Sequence, residues 1–318
     1  MWTAVVLGTL IVGSYAAYAA WAAAAIGAGA AAWPFVLGAP LVYLALPFLF
    51  TCIWMALGWW WRSPAPPAVA LSIGGVLRLF GNEFASLAMS PVRMTLYRVL
   101  LPDPPPAPAA LPVLLVHGVG CNAGVWIGLA RDLAARGLAP VYTISYGPPL
   151  ASIEVFAGQL AAKIAAVRAA TGAAQVVVVT HSMGGLVARA CLRRYGGAHV
   201  RRLVTLGAPH FGSRHAWLMF GACLGEMRPG SAFLAGLNAD HERAAGVPVV
   251  SLWSWHDSMV TPQTSARLPW ADNVVIAGVA HNALLNDRGV WDLVAAEIAK
   301  AGAHPHPNLL PPEAGEGG

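Results

Sequence analysis

The chain has 318 residues, enough to bury a large core, and is 57% hydrophobic with only 10% charged residues, where about 45–50% hydrophobic is usual for soluble proteins. The excess points to membrane-spanning segments. The net charge is +5, but lysine occurs only at Lys163 and Lys300 and no arginine stripe forms, which argues against nucleic-acid binding; the four cysteines are too dispersed for a metal cluster or a disulfide framework.

No charged side chain occurs between Met1 and Trp61. A helix crosses the ~30 Å hydrocarbon layer with about 20 residues, so this stretch holds two passes. "TAVVLGTLIVGSYAAYAAWAAAAIGA" is predicted as the first and "FVLGAPLVYLALPFLFTCIWMALGWWW" as the second, with "GAGAAAWPF" as an interfacial turn. Trp2, Trp33 and Trp59 to Trp61 fall where aromatic belts sit. "AYAA" resembles a signal-peptide cleavage site, but the start lacks a basic region and a second apolar run follows. A soluble core helix does not run this long without charge. Residues 1–62 are therefore expected to form a transmembrane hairpin. Arg62, Arg78, Arg93 and Arg98 all follow the second span, and the positive-inside rule then puts the bulk of the chain in the cytoplasm. The expectation is an integral protein of a bacterial inner membrane, with membrane lipids as partners.

Residues 63–111 are expected to form a connector. "RSPAPP" and "LPDPPPAPAALP" resist helix and sheet alike. The amphipathic stretch between them either lies on the membrane surface or packs as a helix pair against the following domain.

Past Leu111 short apolar runs alternate with helical segments. "PVLLV", "PVYTIS", "QVVVVT", "RRLVTLG", "VPVVSLWS" and "DNVVIAGV" read as strands, and "RGVWDLVAAEIAKAG" closes the series as a helix. Strands buried on both faces and alternating with helices imply an α/β fold with a mostly parallel sheet flanked by helices. Chemistry in such sheets gathers at the carboxyl ends of the strands. Four strands end there on reactive residues: His117-Gly118, His181-Ser182, His256-Asp257 and His281.

These pieces bring a family into view. "VHGVG", "THSMGGLVAR", "TLGAPHFGS", "MRPGSAFLAGLN", "DSMV" and "GVAHNALL" resemble the α/β-hydrolase superfamily, and within it the bacterial lipases and esterases. The resemblance runs from about Pro112 to Lys300 and leaves the first 110 residues outside. It implies an α/β-hydrolase domain at 112–301, preceded by the hairpin, and the chain order Ser…Asp…His that Ser182, Asp257 and His281 satisfy.

Ser182 would be the nucleophile, since a barely ionised hydroxyl needs a neighbouring base. Gly184 and Gly185 give room where strand and helix meet, and Thr180 stands where the familiar G-x-S-x-G has its first glycine. Asp257 is chosen by elimination. Asp240 precedes its strand and Asp272 opens one, while Glu226, Glu242, Asp287, Asp292 and Glu297 fall in helices or beyond the histidine. His281 would be the general base, oriented by Asp257. By resemblance the oxyanion donors are the amides of Val119 and Met183. His117 and Gly118 would brace that loop, and His181 would neighbour the nucleophile while pointing away from it.

The insertion at 208–246 is apolar, with Phe211, Trp217, Leu218, Met219, Phe220 and Leu224 among its residues, and is expected to form two short lid-like helices or packed core. No metal or cofactor motif occurs, and residues 302–318 have the composition of a disordered tail. The expected activity is cleavage of lipidic carboxylic esters through an acyl-enzyme. An acyltransferase with the same triad and a non-catalytic tethered binding module are the alternatives. Acyl chain, alcohol portion and oligomeric state have no signature.

Overall fold

A computed structural model describes residues 2–239 and 246–303. The expected tail beyond residue 303 and positions 240–245 of the insertion lie outside the described residues.

Helix α1 (Trp2–Gly27) and helix α2 (Trp33–Trp60) are each long and apolar enough to cross a membrane. Gly29, at φ +97°, turns the chain between them. Trp33 and Pro34, expected in that turn, instead open α2; a proline in the first helical turn loses no hydrogen bond, because those amides have no partner within the helix. Trp21 stacks edge-on against Phe35, and the Tyr18 hydroxyl donates to Phe35 O at 2.7 Å, which closes the hairpin.

The connector holds a single α-helix after a 3-10 turn at Pro67–Val69, rather than a helix pair. Ser72 caps α3 (Ile73–Leu100) by accepting from Gly75 N, and the helix runs on through Pro91, while Ser90 and Thr95 return their hydroxyls to Ser86 O and Pro91 O. The helix packs along α1 and α2 on one side and on the following domain on the other. Asn122 Nδ2 donates to Met94 O at 2.8 Å, and Gly124 sits so close that an added Cβ would fall 2.4 Å from Arg93 O.

Beyond Leu111 come β1 (Val113–Val116), α4 (Ile127–Ala135), β2 (Val141–Ile144), α5 (Ile153–Thr171), β3 (Val176–His181), α6 (Met183–Tyr195) and β4 (Val200–Leu206). Then follow α7 (Ala222–Glu226), α8 (Ala232–Ala239), β5 (Val249–Ser254), β6 (Asp272–Ile276) and α9 (Arg288–Ala303). Residues 302 and 303, expected in the tail, complete α9. Among the described residues the strands form one parallel sheet in the order β2-β1-β3-β4-β5-β6.

Side chains of successive strand residues point to opposite faces, and both faces are covered. Leu114, Val116, Val176 and Val178 pack with Phe156 and Leu160 of α5 and with Leu186 and Val187 of α6. Val113, Leu115, Val177 and Val179 pack with Leu129 and Leu133 of α4 and with Val294 and Ile298 of α9. Each fully buried Val or Leu contributes about 1.5–3 kcal/mol. From β1 the chain steps outward to β2 and then crosses back to β3. This reversal leaves a crevice at the carboxyl ends of β1 and β3, where ligands of open α/β sheets bind. His117-Gly118 and His181-Ser182 stand at its rim.

Candidate active site

Between the last residue of β3 and the first of α6 there is one residue, Ser182, at φ +56° and ψ −130°. A non-glycine residue is strained there, and the strain is held by close packing. Ser182 N donates to Leu206 O at 2.9 Å, and Gly185 N donates to Ser182 O at 3.0 Å. An added Cβ on Gly184 would fall 2.7 Å from both Val116 O and His117 O; on Gly185, 2.5 Å from Ala208 Cβ; on Gly118, 2.8 Å from Ser182 Cβ. Only glycine fits at these three positions. Thr180, which stands where G-x-S-x-G has its first glycine, is fully buried with its hydroxyl donating to Val204 O.

Asp257 lies in the loop after β5 and is buried. Its Oδ1 accepts from the amides of Met259 at 2.8 Å and Val260 at 2.7 Å, and Gln263 Nε2 donates to its backbone carbonyl at 2.9 Å. Its Oδ2 accepts from His281 Nδ1 at 2.8 Å. The pair rests on Gly207, where an added Cβ would fall 2.9 Å from Asp257 Oδ2 and 3.4 Å from His281 Nδ1. Gly207 follows Leu206, whose carbonyl receives the Ser182 amide. Ser182, Asp257 and His281, from three separate loops, thus gather around the end of β4.

His181 also faces this pair. Its Nε2–H donates to His281 O at 3.0 Å, and the two rings lie 4.6 Å apart. His117 Nδ1–H donates to Gly118 O at 2.8 Å while its ring stacks on Tyr146, whose hydroxyl returns a bond to His117 O; this braces the loop carrying Val119. Met183 N is the first amide of α6 and has no acceptor within the helix, which suits it to an incoming oxyanion.

The electrostatics separate His281 from its neighbours. Burial lowers His117 and His215 to about 4 each and depresses His181 and His210 well below the ordinary value, so all four stay neutral. Burial is also the largest influence on His281, but the Asp257 charge, the Asp257 hydrogen bond and the Glu83 charge together outweigh it and raise the imidazole above its usual 6.5. Its imidazolium is stabilised, as a proton-accepting base requires. His256 holds its own loop by accepting from Gly278 N at 3.0 Å.

Sequence reasoning missed three groups here. Glu83 of α3 bonds the residues that follow Asp257 and His281; Gln263 holds the acid loop; and the His215 ring meets Trp54 of α2 and Trp61, the residue that caps it. The signal for Glu83 was its isolation, since no acidic residue precedes it in the chain.

Among its described residues the insertion carries two short α-helices, α7 and α8, after a 3-10 turn at Arg214–Trp217. Leu224, Met227, Leu234 and Leu237 join the core, whereas Trp217, Leu218 and Phe220 are exposed.

Residues 112–240 match the family model for the alpha/beta hydrolase fold. The α/β-hydrolase fold is the fold of this domain. Two triacylglycerol lipases, from Pseudarthrobacter phenanthrenivorans and Burkholderia plantarii, are each 36% identical to this chain over 121 residues. The aligned region is 33% of this chain, and 35% and 31% of the two lipases, so the chain spans about a third of their length. Among solved structures, the α/β-hydrolase domain is similar to the mature lipase BlEst2 of Bacillus licheniformis, with TM-score 0.54 and 19% identity over 62% of this chain and 93% of that one. It is also similar to lipase B of Aspergillus fumigatus, with TM-score 0.50 and 20% identity over 60% and 52% of the two chains.

Proposed function

We propose that this protein is a membrane-anchored serine hydrolase of lipidic carboxylic esters. The observation that carries the reading is the buried Asp257–His281 hydrogen bond, which meets the strained strand-to-helix turn of Ser182 around Leu206 and Gly207. In this reading Ser182 Oγ attacks the ester carbonyl while His281 Nε2 takes its proton. The amides of Met183 and Val119 stabilise the oxyanion. The tetrahedral intermediate expels the alcohol, which leaves with the proton from His281. Water, deprotonated by the same imidazole, then attacks the acyl-serine and releases the acid.

The lipase relatives favour a lipidic ester, as do the exposed Trp217, Leu218 and Phe220. The test is a fluorophosphonate probe followed by peptide mapping, with p-nitrophenyl esters from acetate to palmitate alongside. Label on Ser182 is expected, and kcat/KM should rise by up to about fourfold per added methylene while the chain still enters an apolar site. Label elsewhere, or none, overturns the hydrolase reading; a profile that peaks at acetate overturns the lipidic one.

Membrane anchoring through residues 1–62 rests on apolar side chains turned outward along α1 and α2: Val12, Val36, Leu37 and Leu46 are 66–71% exposed. A soluble protein does not leave such stripes in water. With residues 63–111 as connector and 112–301 as catalytic domain, the arginines after α2 favour a cytoplasmic catalytic domain. The protein is expected to stay in the membrane pellet at alkaline pH and to leave it only with detergent; release by carbonate alone overturns the anchor.

A further inference from the structure

Glu83 lies on α3, outside the α/β-hydrolase domain, and is 1% exposed. Both of its carboxylate oxygens are fully engaged. Oε1 accepts from Ser258 Oγ at 2.8 Å and from Asn282 Nδ2 at 2.9 Å; Oε2 accepts from the backbone amides of Asn282 and Ala283, each at 2.9 Å. Ser258 follows Asp257, and Asn282 follows His281. One side chain from far upstream grips both loops that supply the acid and the base.

Docking of α3 does not require this charge. The helix is already fastened by Arg93 Nη1 donating to Asn286 Oδ1 at 2.5 Å, by Asn122 on Met94 O and by the close fit of Gly124. Next to it, α2 is seated by Gly58 against the Ser258 backbone, and Ser63 N donates to Gln263 Oε1 at 2.8 Å. An apolar residue at position 83 would seat α3 without the cost of burying a carboxylate. Four donors from the two loops offset that cost, and they are what the charge serves.

We propose that Glu83 is a positioning residue that locks the Asp257 and His281 loops in register, making the N-terminal helices part of the catalytic apparatus. The proposal rests on the triad reading above. The titratable and charged groups facing His281 are Asp257 from the β5 loop, Glu83 from α3, His181 from β3 and His215 from the insertion, the two histidines being held neutral by burial.

The experiment compares full-length wild type, Glu83→Gln and Glu83→Ala in detergent. Glutamine keeps the shape: its oxygen serves the two backbone amides, its NH2 meets Ser258 Oγ, and a flipped Asn282 amide accepts the remaining proton. It loses only the charge. His281 must be neutral to accept the Ser182 proton, so kcat/KM falls as pH drops through its midpoint. Removing a negative charge favours the neutral ring, and the midpoint is expected to move down in both variants. With the clamp gone as well, Glu83→Ala should lose about 100-fold in kcat with KM little changed, the scale of a small misplacement of catalytic groups; Glu83→Gln should lose less. The His281 ring titration followed by NMR gives the midpoint without any turnover. If wild type neither labels nor hydrolyses, the triad reading fails, and the NMR midpoints still decide whether Glu83 acts on His281. Folded Glu83→Ala with wild-type kcat overturns the proposal; should that variant not fold, Glu83→Asp, whose shorter side chain cannot reach both loops at once, takes its place, and wild-type kcat in it overturns the proposal equally.

Discussion

Replacing Ser182 by alanine is expected to lower kcat for ester hydrolysis about a million-fold and to leave the protein folded. The substitution removes one oxygen from a residue that is 8% exposed. The amide bond to Leu206 O and the close fit of Gly118 against the Cβ persist, and alanine bears the same strain at φ +56° as serine does. What disappears is the atom that attacks in the proposed mechanism. Because nucleophile and base act as one unit, adding His281→Ala should cost little more, a non-additivity that two independent contributors would not give. Steady-state rates on a p-nitrophenyl ester, normalised to protein that unfolds with a wild-type Tm, read both effects. A Ser182→Ala protein within tenfold of wild type would remove Ser182 from the chemistry.

How much of this was legible beforehand follows from the range of each interaction. The burial of Val176 to Val179 on both faces of the sheet is written into four consecutive apolar residues, so β3 and its two covered faces could be read directly. The position of Ser182 followed, because strand end, serine and glycines are contiguous. Asp257 and His281 were reachable through the rule that reactive groups sit at carboxyl ends of strands, and the hydrogen bond between them bears out their proximity. Contacts without a local pattern stayed hidden. Glu83 meets Ser258 and Asn282 across 175 and 199 positions, and nothing in the amphipathic stretch around it says which surface it faces. The same stretch left two readings open, a segment on the membrane surface or a helix pair against the domain; it is one continuous helix, α3, which packs on α1 and α2 as well as on the domain. His181 adjoins Ser182 in sequence, but its Nε2–H bond to the His281 carbonyl spans 100 positions and has no local pattern to announce it.

For Asp257→Asn the expected loss is about 10⁴-fold in kcat with little change in Tm. The two backbone amides that now bond Oδ1 can only donate, so the asparagine oxygen must remain with Met259 N and Val260 N. Its NH2 is thereby turned toward His281 Nδ1, which must then accept a hydrogen bond. That puts the ring proton on Nε2, the atom that has to be bare to receive the proton of Ser182. The shape survives and the tautomer is wrong. The charge is lost too: burial, already the largest influence on His281, is then opposed by Glu83 alone, so the acid limb of kcat/KM should move down in pH while the plateau falls. A purely structural acid would behave in the opposite way, because a near-isosteric amide that keeps both loop hydrogen bonds would leave kcat almost intact. Measuring kcat, Tm and the acid midpoint on the same preparation separates the two cases, and a variant with wild-type kcat would strip Asp257 of its role beside His281.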